Sequence, residues 1–119
     1  MTGIRVVEYL DPQGRSPFGR WFVELNAVAA AKVAAALYRL EAGNFSNIQG
    51  VGRGVLERRI DYGPGYRIYL AREGEAMIIL LGGSGKHRQD EAIRNAQERW
   101  LEYKRRKGSG FRRSEKAWR

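Results

Sequence analysis

The chain has 119 residues, enough for one domain that buries roughly two thirds of the surface its unfolded form exposes. It contains no cysteine and one histidine, His87, which excludes a disulfide framework, a thiolate metal site and a histidine cluster for zinc. Twenty-two Lys and Arg against thirteen Asp and Glu leave a net charge of +9, an excess that favours a polyanionic partner.

In chain order, Ile4 to Leu10 is rich in β-branched residues and reads as a first strand, closed by the turn residues Asp11-Pro12-Gln13-Gly14. The opening segment has no basic stretch followed by a long apolar run, so no signal peptide is expected. Ser16-Pro17 is a helix start, and Phe18, Trp21, Phe22 and Leu25 follow at the spacing of one helix face. Asn26 caps a second helix, Ala27 to Ala42, with Val33, Leu37 and Leu40 as its apolar stripe and Gly43-Asn44 as its end. The two helices are expected as a hairpin laid on a sheet. This Ala-rich stretch is too short to span a bilayer, and a soluble cytoplasmic protein with no membrane partner is the expectation.

Residues 45–54 read as a glycine-rich loop. Their Gly-x-Gly-x-Gly run lacks the preceding strand and following helix of a dinucleotide fingerprint. Three strands then follow as an antiparallel meander: Val55 to Asp61, Tyr66 to Ala71 and Met77 to Leu81, joined by turns too short for a parallel crossover. Alternation puts Leu56, Ile60, Tyr66, Ile68 and Leu70 on one face, and Glu57, Arg59, Asp61, Arg67 and Tyr69 on the other. The second face is thus expected to be charged. The run Gly82-Gly83-Ser84-Gly85-Lys86-His87 is no Walker A loop, because Leu80 stands where its first glycine belongs and His87 replaces the Ser or Thr after its lysine.

Asp90 is the expected cap of a last helix reaching about Lys107, with Ile93, Ala96, Trp100 and Tyr103 inward and basic residues crowding its end. From Arg99 to Arg119 nine Lys or Arg face two Glu, a local +7. Gly108-Ser109-Gly110 reads as a break, giving a domain over residues 1–107 and a flexible basic tail over 108–119. The expected fold class is α+β in the order β-α-α-β-β-β-α, an N-terminal helical hairpin on a small antiparallel sheet plus a C-terminal helix.

The chemistry that these residues suit is that of a phosphodiester. Guanidiniums of Arg59 and Arg67 on adjacent strands can grip non-bridging oxygens and oppose charge developing at phosphorus. If the polymer is RNA, its own 2′-hydroxyl is the nucleophile, and the protein supplies proton transfer and charge stabilisation without a metal or cofactor. His87 suits a proton role, and Lys86 or Tyr69 does so only with a lowered pKa.

The same residues carry a family resemblance. Asp11-Pro12-Gln13-Gly14-Arg15-Ser16-Pro17-Phe18 leads into Trp21-Phe22, and Gly43-Asn44-Phe45-Ser46-Asn47 precedes the glycine loop. Glu57-Arg58-Arg59-Ile60-Asp61 is followed by Gly63-Pro64-Gly65-Tyr66-Arg67-Ile68-Tyr69, then Leu80-Leu81-Gly82-Gly83 and Lys86. Over residues 4–107 the chain resembles the RelE/ParE toxin superfamily of type II toxin–antitoxin modules, in its HigB-like, phage-derived addiction module killer branch. The resemblance implies a RelE-like sheet with two N-terminal helices and metal-independent mRNA cleavage at the ribosome. It also implies a helix-turn-helix antitoxin from the same operon as partner. It assigns Arg67 to transition-state charge, with Arg59, Lys86, His87 and Tyr69 as further catalytic candidates. Arg58, Lys104, Arg105, Arg106 and Lys107 are the candidate RNA-binding cations. Better-studied RelE-like enzymes place a general acid–base residue near the C-terminus. This chain has basic residues, Ser114 and Trp118 there, which leaves open a non-cleaving ParE-like action on DNA gyrase or a plain nucleic-acid-binding module.

Overall fold

The computed structural model describes residues 3–109 and 114–119. The protein is α+β, with a six-stranded sheet between helices on both faces. The elements are β1 (Arg5–Tyr9), α1 (Pro17–Val23), α2 (Ala27–Glu41), β2 (Ile48–Gly52), β3 (Val55–Ile60), β4 (Tyr66–Glu73), β5 (Met77–Gly85), α3 (Gln89–Gly108) and β6 (Glu115–Ala117). Across the sheet the order is β2-β3-β4-β5-β1-β6. No helix among the described residues is long and apolar enough to cross a membrane.

Local chemistry sets both early helices. Ser16 Oγ accepts from the Gly19 N–H at 2.9 Å with Pro17 in the first turn, and Asn26 Oδ1 accepts from the Ala29 N–H at 2.8 Å. Phe18 is buried, with Trp21, Phe22 and Leu25 packed around it, and Val33, Ala36, Leu37 and Leu40 of α2 join the same cluster over Ile60, Ile68, Leu70, Ile78 and Leu80. Each such fully buried aliphatic side chain contributes about 1.5–3 kcal/mol relative to exposure. The expected hairpin takes a different form: α1 rests mainly on β5 and β1, α2 rests on β1 and β3, and the two helices share one core cluster over the sheet.

Three further features differ from the expected order. First, residues 45–54 are not all loop: Ile48–Gly52 is β2, joined to β3 through Arg53 and Gly54, both at positive φ (57° and 83°). Two left-handed residues match the twist of a hairpin, but Arg-Gly is not the usual Asn-Gly signal. Second, the sheet is mixed. β2 to β5 form an antiparallel meander, while β1 pairs with β5 in parallel, Val6 opposite Ile78 and Glu8 opposite Leu80. Third, of the expected flexible tail, Glu115–Ala117 is β6, antiparallel to β1, and residues 110–113 lie outside the described residues. Trp118 stacks edge-on against Tyr38 and donates from Nε1 to Glu41 at 3.0 Å, which ties the end of the chain to α2.

The face expected to be charged is mostly apolar. Tyr69, Ala71, Ile79 and Leu81 are covered by Ala96, Trp100 and Tyr103 of α3, leaving it open only near the start of β4 and the end of β5. α3 begins without a side-chain cap: Arg88 occupies the cap position at φ 63°, and Asp90 sits inside the first turn, where its charge favours the helix dipole. Between Tyr69 and Leu70 the β4–β5 register shifts, so that Tyr69 faces Gly82 but Leu70 faces Leu80. Leu81 is the extra residue of a β-bulge, and Leu81 and Gly82 both turn towards α3.

The bulge turns Gly83 towards α1, where the Trp21 ring lies flat against it. A Cβ there would lie 2.3 Å from the ring. Gly83→Ala should therefore cost about 1–3 kcal/mol in urea unfolding, the range for overpacking, and adding Trp21→Leu should recover part of that loss. An unchanged midpoint for Gly83→Ala would contradict this packing.

Candidate functional site

The open part of the α3 face carries a row of polar side chains. Arg59 on β3 lies directly opposite Arg67 on β4, and Arg67 lies opposite Ser84 on β5. The Arg59 N–H donates to the Asn47 carbonyl at 3.2 Å, which extends the row towards β2. One step along the strands lies a second row, Gln49, Glu57, Tyr69 and Gly82.

Glu57 braces Arg67. Its carboxylate is 3% exposed, with Oε1 3.6 Å from Arg67 Nε, and Gln49 Nε2 donates to Oε2 at 3.4 Å. The Arg67 side chain is 14% exposed, so its charge is partly desolvated and held from one side by a buried counter-charge. The counter-charge fixes where the guanidinium points, while partial desolvation strengthens what attraction to an anion remains after Glu57 has taken its share.

Arg59, Asp61, Arg67 and Lys86 line one cleft of about 330 Å³, walled by the Tyr62-Gly63-Pro64-Gly65 turn and Tyr66. A neighbouring cavity of about 280 Å³, lined by Asn47, Ile48 and Gln49, shares Arg59 and Asp61, so a continuous groove passes over the ends of β2, β3 and β4. Arg59, Asp61 and Lys86 are exposed and reachable. Asp61 is the one carboxylate among the residues that line the larger cleft.

The other candidates fall elsewhere. Tyr69 is fully buried, and burial pushes its phenol pKa up, which makes it a poor proton acceptor. Ser84 spends its hydroxyl proton on the Gly85 carbonyl at 3.0 Å, so the 2.9 Å contact between Tyr69 and Ser84 has the phenol as donor. Tyr69 thus holds Ser84, the residue across from Arg67 on β5. His87 is exposed between β5 and α3 and does not line the cleft.

Arg58 is buried on the opposite face, donates to the Arg59 carbonyl, and has its proton affinity lowered by burial and then by Arg39. It is not accessible to a polymer at the cleft. Lys104, Arg105, Arg106 and Lys107 lie near the Glu73 end of the sheet, about 20 Å from Arg67 along β4. Arg106 is committed to Glu102 at 2.7 Å and to the Leu10 carbonyl, and Lys107 to Glu73 at 3.2 Å. Lys104 lies over the Trp100 ring and Arg105 is exposed.

Sequence reasoning passed over Ser84, Gln49 and Asn47. The hydroxyl of Ser84 was hidden in a glycine run whose facing depends on the bulge, and the amides stood in an unrecognised strand. Asp61 was visible on the same strand face as Arg59 and Arg67, and it lines the cleft beside the turn after β3.

The brace makes a thermodynamic prediction. Removing Arg67 strands a buried carboxylate, so Arg67→Gln should cost about 3 kcal/mol. In the Glu57→Gln background the same change should cost about 1–3 kcal/mol less. A double-mutant cycle by chemical unfolding measures this, and zero coupling would remove the brace.

No family model matches the chain. It is similar to an uncharacterized protein of Haemophilus influenzae, 43% identical over 81 residues that make up 67% of this chain and 82% of that protein. At that identity and coverage, the chain belongs to the same family as this Haemophilus influenzae protein.

Proposed function

We propose that the protein is the toxin of a type II toxin–antitoxin module, a HigB-like member of the RelE/ParE superfamily that cuts translated mRNA at the ribosome. One observation carries this reading: Arg59, Arg67 and Lys86 line a single open cleft together with Asp61, and Arg67 is oriented there by a buried Glu57. Two helices between β1 and β2, packed on a sheet whose strands β2 to β5 form a meander, also suit a RelE-like arrangement.

In the proposed reaction the RNA 2′-oxygen attacks the adjacent phosphorus, and the bond from phosphorus to the 5′-oxygen of the next nucleotide breaks. The products are a 2′,3′-cyclic phosphate and a free 5′-hydroxyl. Asp61 takes the 2′-hydroxyl proton, and the Lys86 ammonium returns a proton to the departing oxygen. Arg67 and Arg59 grip the non-bridging oxygens as charge builds at phosphorus. All of this uses the chain's own side chains and the substrate's own nucleophile, so the reading is metal-independent. Exposed Lys104 and Arg105, at the far end of α3, act by long-range attraction to RNA rather than by contact with the scissile bond. The protein partner under this reading is a small helix-turn-helix antitoxin encoded beside the gene.

A ParE-like, non-cleaving action on DNA gyrase is favoured by one observation: neither His87 nor the Tyr69 phenol lines the cleft.

Inducible expression with transcript mapping tests both. Wild type should arrest growth and leave new 5′ ends in translated messages. Arg67→Ala should lower cleavage by about 10²–10³, and Asp61→Asn by about 10²–10⁴, with the fold checked by circular dichroism. Intact transcripts with DNA-damage signalling would replace the nuclease reading with the gyrase one.

A further inference from the structure

A second cationic cleft lies away from Arg67, at the end of β1. Its volume is about 250 Å³, and it is lined by Tyr9, Asp11, Pro17, Arg20 and Arg99. Arg20 comes from α1 on one face of the sheet and Arg99 from α3 on the other, so both helical layers contribute a guanidinium to one cavity.

Arg99 is built into place. Its Nη1 donates to the Leu81 carbonyl at 2.9 Å, at the bulge of β5. It also lies against Gly82, where a Cβ would stand 2.8 Å from Nη1. A side chain at 82 would displace the guanidinium.

Asp11 is the one carboxylate lining the cleft, so its two guanidiniums leave an excess of positive charge. Neither Arg20 nor Arg99 is in an ion pair among the described residues. Tyr9 donates its phenol proton to Glu102 at 2.6 Å, and burial followed by that hydrogen bond pushes its pKa up, so it stays neutral. Asp11 Oδ1 already accepts from the Gln13 and Arg15 N–H groups, each at 2.9 Å. Burial lowers the proton affinity of Arg99, and the Asp11 and Glu98 carboxylates partly offset this. A half-buried cation such as Arg99 normally has a charged partner, and exposed Arg20 stands at the same cavity. The partner that fits two guanidiniums in an open cavity is a tetrahedral oxyanion, gripped by paired N–H donors.

We propose that the cleft between α1 and α3, with Arg20 and Arg99 as its cations, is a phosphate-binding site separate from the Arg59–Arg67 cleft. It goes beyond the proposed function and stands whether or not Arg67 acts on RNA. The phosphate is either a nucleic-acid diester or the monoester of a small phosphorylated molecule.

The guanidinium Nε–H resonances of the ¹⁵N-labelled full chain, assigned through Arg99→Lys and Arg67→Lys, read both clefts in one spectrum. Inorganic phosphate, titrated against chloride at matched ionic strength, should shift Arg99 saturably. Arg20→Ala, an exposed change outside the core, should weaken that response roughly ten-fold, as expected for losing one charge-assisted grip. A uridine trinucleotide and uridine 5′-monophosphate form the other arms. Tighter binding of the trinucleotide at Arg99 assigns a nucleic-acid backbone, and tighter binding of the monophosphate assigns a small phosphorylated ligand; both uphold the site. An Arg99 signal that follows only the chloride control overturns it, as does an affinity unchanged in Arg20→Ala. The Arg67 signal in the same spectra reports the first cleft by itself, so failure of one reading is distinguishable from failure of the other.

Discussion

The pairing of β4 with β5, with its single extra residue at Leu81, is the constraint on which the rest of the molecule depends. Without the bulge, strict alternation would put Ser84 and Gly82 on the α1 side and Gly83 under α3. With it, Gly83 receives the Trp21 ring, Gly82 receives the Arg99 guanidinium, and Ser84 comes to lie across from Arg67. One inserted residue therefore sets the packing of α1, the anchoring of α3 and the residue that stands across from Arg67. It also gives physical meaning to a glycine-rich run that resembled a nucleotide loop but lacked its pattern. The missing side chains make room for an aromatic ring and a guanidinium.

Much of the fold was legible because it is local. The Ser16 and Asn26 caps act within three residues, the apolar stripes of α2 and α3 show in the period of each segment, and the meander from Val55 to Gly85 pairs strands that are neighbours in the chain. What could not be read is what depends on distant partners. The parallel β1–β5 pair joins segments some seventy residues apart, for instance Val6 with Ile78, and nothing near either strand announces it. The β2 hairpin escaped because Arg53 takes a left-handed conformation that its residue type does not advertise.

The candidate site was legible in its cations and obscure in its context. Alternation alone brought Arg59 and Arg67 to one face and set Glu57 beside them, and the cross-strand register bears this out. The same alternation implied an open charged face, because it could not foresee that α3 would cover Tyr69 and its neighbours. Basic residues that look equivalent in the sequence also separate into kinds. Arg58 is buried, Arg106 ties α3 to the end of β1, and Arg59 and Lys86 remain exposed at the cleft. A net charge of +9 therefore overstates how many cations are free to meet a polyanion.

The short strand β6 covers the outer edge of β1 with residues from the other end of the sequence, Val7 meeting Ala117 across almost the whole chain. A contact of that separation closes the largest loop in the molecule, and its entropic cost is repaid only once the intervening sheet is formed. During synthesis β1 emerges about 110 residues ahead of β6. In the interval the edge of β1 stands open, ready to accept a strand from any neighbour that offers one.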